Sequence, residues 1–197
     1  LSLAALIVGN LVRHGRADQL GRRKLGHRML TITRDPRVGR VSAFDAEGTP
    51  RRYGPLLYHG AFVGVPSCRE VAAKIGLSRS LGCKQLNGTP APDSLVVASV
   101  AGGPSEDAMR DSLGDGLWLR GPIERSGDGL RCHLAQPIKG GRVDGQPGPV
   151  LVDHRPIELG RAVVAIGGNS RPAAIPSGYG PPLVGRAAAV QIRVRPR

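Results

Sequence analysis

Five histidines, three cysteines and a scatter of carboxylates are the residues of this 197-residue chain whose types could do chemistry. A metal site needs ligands that converge, and along one helix or hairpin they do so only at short spacings. His14, His27, His59, His133 and His154 never fall within five residues of one another, so no paired-His face is expected. Cys132 and His133 are adjacent, which on a strand sends them to opposite faces. Cys68, Cys83 and Cys132 are spaced by 15 and 49 residues with no C-x-x-C pair, which excludes a zinc ribbon or a thioredoxin-type motif. A thiol nucleophile with a histidine base is conceivable chemistry, but nothing in the sequence sets one beside the other. No G-x-S-x-G elbow is present, and Ser170 and Ser177 lie in a Gly/Pro-rich stretch without a mechanism attached. Asp45 and Glu47 suit turn chemistry better than acid–base catalysis. Gly167-Gly168-Asn169 follows a strand pattern, but Pro172 and Pro176 exclude the helix that a dinucleotide fingerprint requires. The expectation is a chain with no metal, no cofactor and no catalytic residue of its own.

The elements that must position these residues are short. Gly (29) and Pro (17) make up nearly a quarter of the chain, and aromatics only 3%, so many turns and an aliphatic core are expected. Leu3 to Leu11 has helical spacing, and Arg28 to Thr33 alternates as a strand up to Asp35-Pro36. A hairpin turning at His59-Gly60 follows. A short helix comes next, with Ser67 as its cap, Glu70 three residues on, and Gly76 as its stop. Ser94 to Val100 reads as a buried strand, and Ser105 to Leu113 as a helix capped by Ser105. Leu117 to Leu119 begins another strand, and Gly121 to Gly129 is read as turn. An antiparallel meander runs from Leu130, including Arg155 to Leu159. Gly167 to Gly180 is read as a long loop and Ala187 to Val194 as the last strand. The fold class expected is α+β, an antiparallel, barrel-like β domain with a few short helices, and residues 1–197 are read as a single domain.

The net charge is +13, which raises a nucleic-acid reading. The chain has 28 Lys+Arg, of which only Lys24, Lys74, Lys84 and Lys139 are lysines, and apart from Arg13 to Arg28 they are scattered. Few aromatics are available for base stacking. Nucleic acid is therefore disfavoured as a partner, though a basic nucleic-acid-binding module stands as the alternative reading. An odd cysteine count points to a reducing compartment, and the apolar start is too short to span a bilayer. A cytoplasmic protein without a membrane segment is expected.

Several stretches in order resemble the C-terminal half of the TldD/PmbA (TldE) family. Asp35-Pro36 followed by Phe44-Asp45-Ala46-Glu47-Gly48-Thr49-Pro50 resembles its "DP…FDDEGVP" signature, carried by Phe44, Asp45, Glu47 and Gly48. Ala73-Lys74-Ile75-Gly76-Leu77 and Asp115-Gly116-Leu117-Trp118-Leu119 resemble further segments. The resemblance implies a heterodimer or higher assembly of one zinc-bearing and one metal-free subunit, enclosing a cavity where extended, unfolded peptides are cut. It also implies a role in maturing ribosomally made peptides. The zinc subunits carry H-E-x-x-x-H in an N-terminal half that has no counterpart here, and a Cys ligand in a "GSGSCG" segment. Gly167, Gly168, Asn169, Ser170 and Arg171 match that segment, with Arg171 where the Cys would be, and a guanidinium does not bind zinc. Ser80-Leu81-Gly82-Cys83-Lys84-Gln85 replaces "sTGNAR". The expected function is a non-catalytic TldE-like subunit, with zinc in its TldD-like partner, an extended peptide as substrate, and residues 167–171 as a cavity loop. The other readings are a stand-alone enzyme using Cys83 or Cys132 and a structural assembly protein.

Overall fold

The computed structural model describes residues 2–13, 24, 26–38, 42–88, 91, 93–127, 129–177 and 180–193. Its elements are α1 (Ser2–Arg13), β1 (Ile32–Arg34), β2 (Gly54–Tyr58), β3 (Ala61–Phe62), α2 (Arg69–Lys74), β4 (Ser94–Val97), α3 (Glu106–Leu113), β5 (Gly116–Leu119), β6 (Ile123–Ser126), β7 (Gly129–Lys139), β8 (Arg142–Val143), β9 (Gly148–Val152), α4 (Pro156–Arg161), β10 (Val163–Ser177) and β11 (Gly180–Ile192). The architecture is α+β. Six strands form one open sheet in the order β10-β11-β4-β1-β2-β3, antiparallel except for the parallel pair β11·β4. The second sheet is a meander centred on β7. β5 and β6 run end to end along one side of it, and β8 and β9 along the other.

The core lies on the six-stranded sheet. Ile7 and Val8 of α1 pack there with Ile32, Leu56, Leu57, Phe62, Leu95 and Ile166, each at most 1% exposed. One aromatic among these aliphatics follows from the composition. Removing such side chains from water is the main term holding the fold, about 25 cal/mol per Å² of apolar area. The hairpin turns at His59-Gly60, both with positive φ (47° and 76°), the backbone that matches strand twist. A Schellman motif ends α2: Leu77 N–H bonds Ala72 O and Gly76 N–H bonds Ala73 O, with Gly76 at φ 71°.

Four local expectations are corrected. Ser67 does not cap α2. Its hydroxyl accepts from Leu81 N–H (3.1 Å), and Glu47 accepts from the helix-opening Arg69 N–H instead (3.0 Å). Residues 123–126 are strand, because β7 offers them a ladder. Residues 156–161 are helix, opened by Pro156 at its first position and by Glu158 accepting from Arg155 N–H. Finally, residues 167–177 belong to β10 and are not a loop, since β11 pairs with them as far as Ser177↔Gly180. Pro90 and Pro92, which read as a hinge-like break in the sequence, and most of the Arg13 to Arg28 cluster lie outside the described residues.

Candidate functional site

Two clusters of polar chemistry stand out, one buried and one lining a cleft. The buried cluster begins at Arg34, at the end of β1, a fully buried guanidinium. Its Nε and Nη2 donate to Asp93 (3.0–3.3 Å), and its Nη1 donates to Arg52 O (2.9 Å) and Leu81 O. Arg51 also pairs with Asp93. Burial lowers the Arg34 and Arg51 pKa values, with the Asp45 carboxylate nearby opposing that fall. Every donor of the buried Arg34 guanidinium is answered, so the cluster's role is to rivet β1, β4 and the loop before β2.

Asp45 belongs to the same region. Its Oδ1 accepts from Glu47 N–H and Thr49 N–H (both 2.9 Å) and its Oδ2 from Lys84 N–H (3.0 Å), while Gly48 takes φ 71°. Glu47 holds Arg69 and Lys84, and Phe44, 54% exposed, bridges to Pro50. Phe44, Asp45, Glu47 and Gly48 thus build a turn. Burial raises the Asp45 pKa, but the three backbone donors outweigh it and hold the pKa below its ordinary 3.8. Asp45→Ala is expected to cost about 2–3 kcal/mol, since three N–H groups lose their acceptor. The folded pKa is depressed, so this stabilisation is fully present above 3.8 and drains away as pH falls through the lower folded value. Urea titrations at several acidic pH values should show that component in the parent and not in the variant.

The second cluster lines a cleft of about 910 Å³ between α1, α3, β5 and the β10–β11 pair, with Ile7, Ile32 and Val97 at its floor. Gly167, Asn169 and Arg171 line it, in the alternation a strand imposes. Gly168 and Ser170 point elsewhere. A side chain at Gly168 would meet the Gly103 backbone, and Ser170 Oγ accepts from Arg186 Nε (3.3 Å). From Ile166 to Ser170 is four steps, while their partners Val190 and Ala188 are two apart, so β10 bulges by two residues here. The bulge docks on the segment before α3, with Val100 N–H to Gly167 O and Gly168 N–H to Pro104 O (both 3.1 Å). Ser105 then caps α3 by accepting from Ala108 N–H (3.1 Å). That places Glu106 to pair with Arg171 at 3.1 Å across the cleft wall.

Along the other wall, Arg110 of α3 and Arg120 after β5 both stack on Trp118, at 5.4 and 4.7 Å from the ring centre. Arg110 also pairs with Asp107 (3.0 Å), and Asp115 accepts from Gly140 N–H (2.9 Å). The cleft carboxylates therefore already have partners. Among the described residues no group of three His, Cys, Asp or Glu side chains converges as a metal site. The donor set here does not fit zinc.

The outer edge of β10 is a poor template for strand addition. Pro172 and Pro176 lie in this edge strand and bring no N–H groups to a ladder.

The sequence matches the family model for the PmbA/TldA metallopeptidase C-terminal domain over residues 3–190. The chain belongs to that family. Among solved structures it is similar to a candidate modulator of DNA gyrase from Thermotoga maritima (TM-score 0.69, 15% identity, 95% of this chain and 44% of that one). TldE from Thermococcus kodakarensis gives a TM-score of 0.66 at 19% identity, covering 96% of this chain and 44% of that one. A candidate gyrase modulator from Bacteroides thetaiotaomicron gives 0.59 at 18%, covering 98% and 44%. At these identities the likeness shows the shared fold, and the chain spans 44% of the length of each of these proteins. No curated protein matches the sequence. In this PmbA/TldD domain the buried Arg34–Asp93–Arg51 cluster and the Arg110–Trp118–Arg120 stack escaped sequence reading. The one signal available was local: the sole tryptophan sits between two arginines and beside a run of strand formers.

Cys68, Cys83 and Cys132 are free and buried, and burial pushes the Cys83 thiol up, away from the reactive thiolate. His133 pairs with Glu124 (2.9 Å) on the outer face of the second sheet. No helix among the described residues is long and apolar enough to cross a membrane.

Proposed function

We propose that this domain is part of a metal-free, TldE-like subunit of a heterodimeric zinc metallopeptidase, and that its cleft walls the chamber holding an extended, unfolded peptide. Zinc and the catalytic residues belong to a TldD-like partner, and the assembly trims peptides such as ribosomally made natural products in the cytoplasm. The observation carrying this reading is the state of the cleft carboxylates. Glu106, Asp107 and Asp115 are engaged by Arg171, Arg110 and Gly140 N–H, and no three metal-ligating side chains converge among the described residues, so the cleft suits a peptide chain better than a metal. Free, buried thiols suit a reducing compartment.

The test is co-expression with a zinc-bearing relative from the same genome, followed by native mass spectrometry, metal analysis and a peptide cleavage assay. One zinc per pair, with cleavage requiring both chains, is the expected result. Zinc bound by this chain alone, or peptide cleaved by it alone, overturns the reading.

A further inference from the structure

The arginines on the cleft wall are not equivalent. Arg171 is neutralised by Glu106, and Arg110 by Asp107 and Asp111. Arg120 and Arg193 also line the cleft, and among the described residues neither has a carboxylate partner. Arg120 is held with its guanidinium carbon 4.7 Å from the Trp118 ring centre. Stacking consumes the face of a guanidinium and leaves its N–H edge free, the edge that fits a carboxylate bidentately. Beside it, Trp118 and the 43% exposed Leu117 offer apolar surface. A fixed cation next to an exposed apolar wall, with the local acids already engaged, is complementary to a chain that alternates carboxylates with apolar groups.

We infer that the cleft selects acidic segments of peptide, an Asp or Glu side-chain carboxylate docking on Arg120, with Arg193 supplying the second positive charge. This rests on the reading of the cleft as a peptide chamber. The occupant is an acidic polypeptide segment, held by side-chain carboxylates and not by its terminus.

Trp118 is the only tryptophan, so its emission reports from the cleft itself. The full chain is titrated with two unstructured peptides of equal length, both acetylated and amidated at their ends. One carries Glu at alternate positions and the other Gln. The Glu peptide is expected to change Trp118 emission saturably and to bind about tenfold more tightly than the Gln peptide. Arg120→Ala and Arg193→Ala should each weaken the Glu peptide about tenfold and leave the Gln peptide unchanged. Arg120→Lys should recover only part of the loss, because an ammonium lacks the bidentate fork. Arg131→Ala, an exposed β7 residue outside the cleft, should bind as the parent does, and circular dichroism of each variant reports its folding. Equal binding of the two peptides overturns the acidic selectivity while leaving the chamber reading intact. No response to either peptide overturns both. An Arg131→Ala loss as large as that of Arg120→Ala shows diffuse attraction to a basic chain, and the site is then wrong.

Discussion

An Asp93→Ala variant is expected to lose about 3–5 kcal/mol of stability, a large part of what a domain of this size has. The reason is the asymmetry of a buried ion cluster. Arg34 is fully buried and Arg51 mostly so, and both direct guanidinium groups at the one Asp93 carboxylate. In the folded protein the desolvation of these cations is offset by Asp93 and by the carbonyls of Arg52 and Leu81. Removing the carboxylate leaves two like charges facing each other in a site largely closed to water. Urea denaturation reads the loss directly. A double variant, Arg34→Met with Asp93→Leu, should lie closer to the parent than Asp93→Ala does, since fewer unanswered charges then remain. If Asp93→Ala costs less than about 1 kcal/mol, the cluster is hydrated in solution and the riveting role assigned to it is wrong.

Why this cluster was invisible in sequence explains much of what was and was not legible. Arg34 sits at the end of an ordinary strand pattern, and Asp93 before another. Each has a polar residue's usual excuse for being at an element's end. Their meeting depends on β1 pairing with β4 across an intervening hairpin and helix, which no local pattern encodes. Features settled by a few neighbouring residues read correctly: the Ser105 cap, the Gly76 stop and the His59-Gly60 turn each rest on φ or on one side-chain bond. Features settled by distant partners did not. Residues 167–177 carry the composition of a loop, with two glycines and two prolines, yet β11 makes them strand, the glycines forming the bulge and the prolines occupying an edge. Ser67 and Glu70 have capping-box spacing, but Leu81 N–H reaches the Ser67 hydroxyl first. Gly167, Asn169 and Arg171 of the cleft wall fall within the stretch 167–171 that the sequence singles out, but as strand and not as the loop expected there. Their counterparts on α3 and β5 became visible only once the bulge had fixed where α3 begins.

Gly185 is where the second large effect is expected, and its test is in the ordering of substitutions. Gly185 pairs with Leu95 in the parallel β11·β4 ladder, and a Cβ placed on it would collide with the Leu95 carbonyl oxygen. The offending atom is the Cβ itself, pressed against backbone, so no rotamer relieves it and Ala should be almost as damaging as Val. Either substitution is expected to cost about 4 kcal/mol or more, or to prevent the soluble protein from accumulating. The damage should also propagate. β10 joins the six-stranded sheet only through β11, and β11 joins it through β4, so displacing this ladder releases the wall that carries Gly167, Asn169 and Arg171. Trp118 emission should shift accordingly in any Gly185→Ala protein that survives. Gly48 provides the contrast: it has φ 71°, but a Cβ added there would meet no atom within 4 Å. Gly48→Ala should therefore cost only about 1 kcal/mol, the strain of a left-handed backbone. Equal stability of Gly185→Ala and Gly48→Ala in denaturant would mean that β11 does not lie against β4 in this register, and the cleft built on that pairing would have to be redrawn.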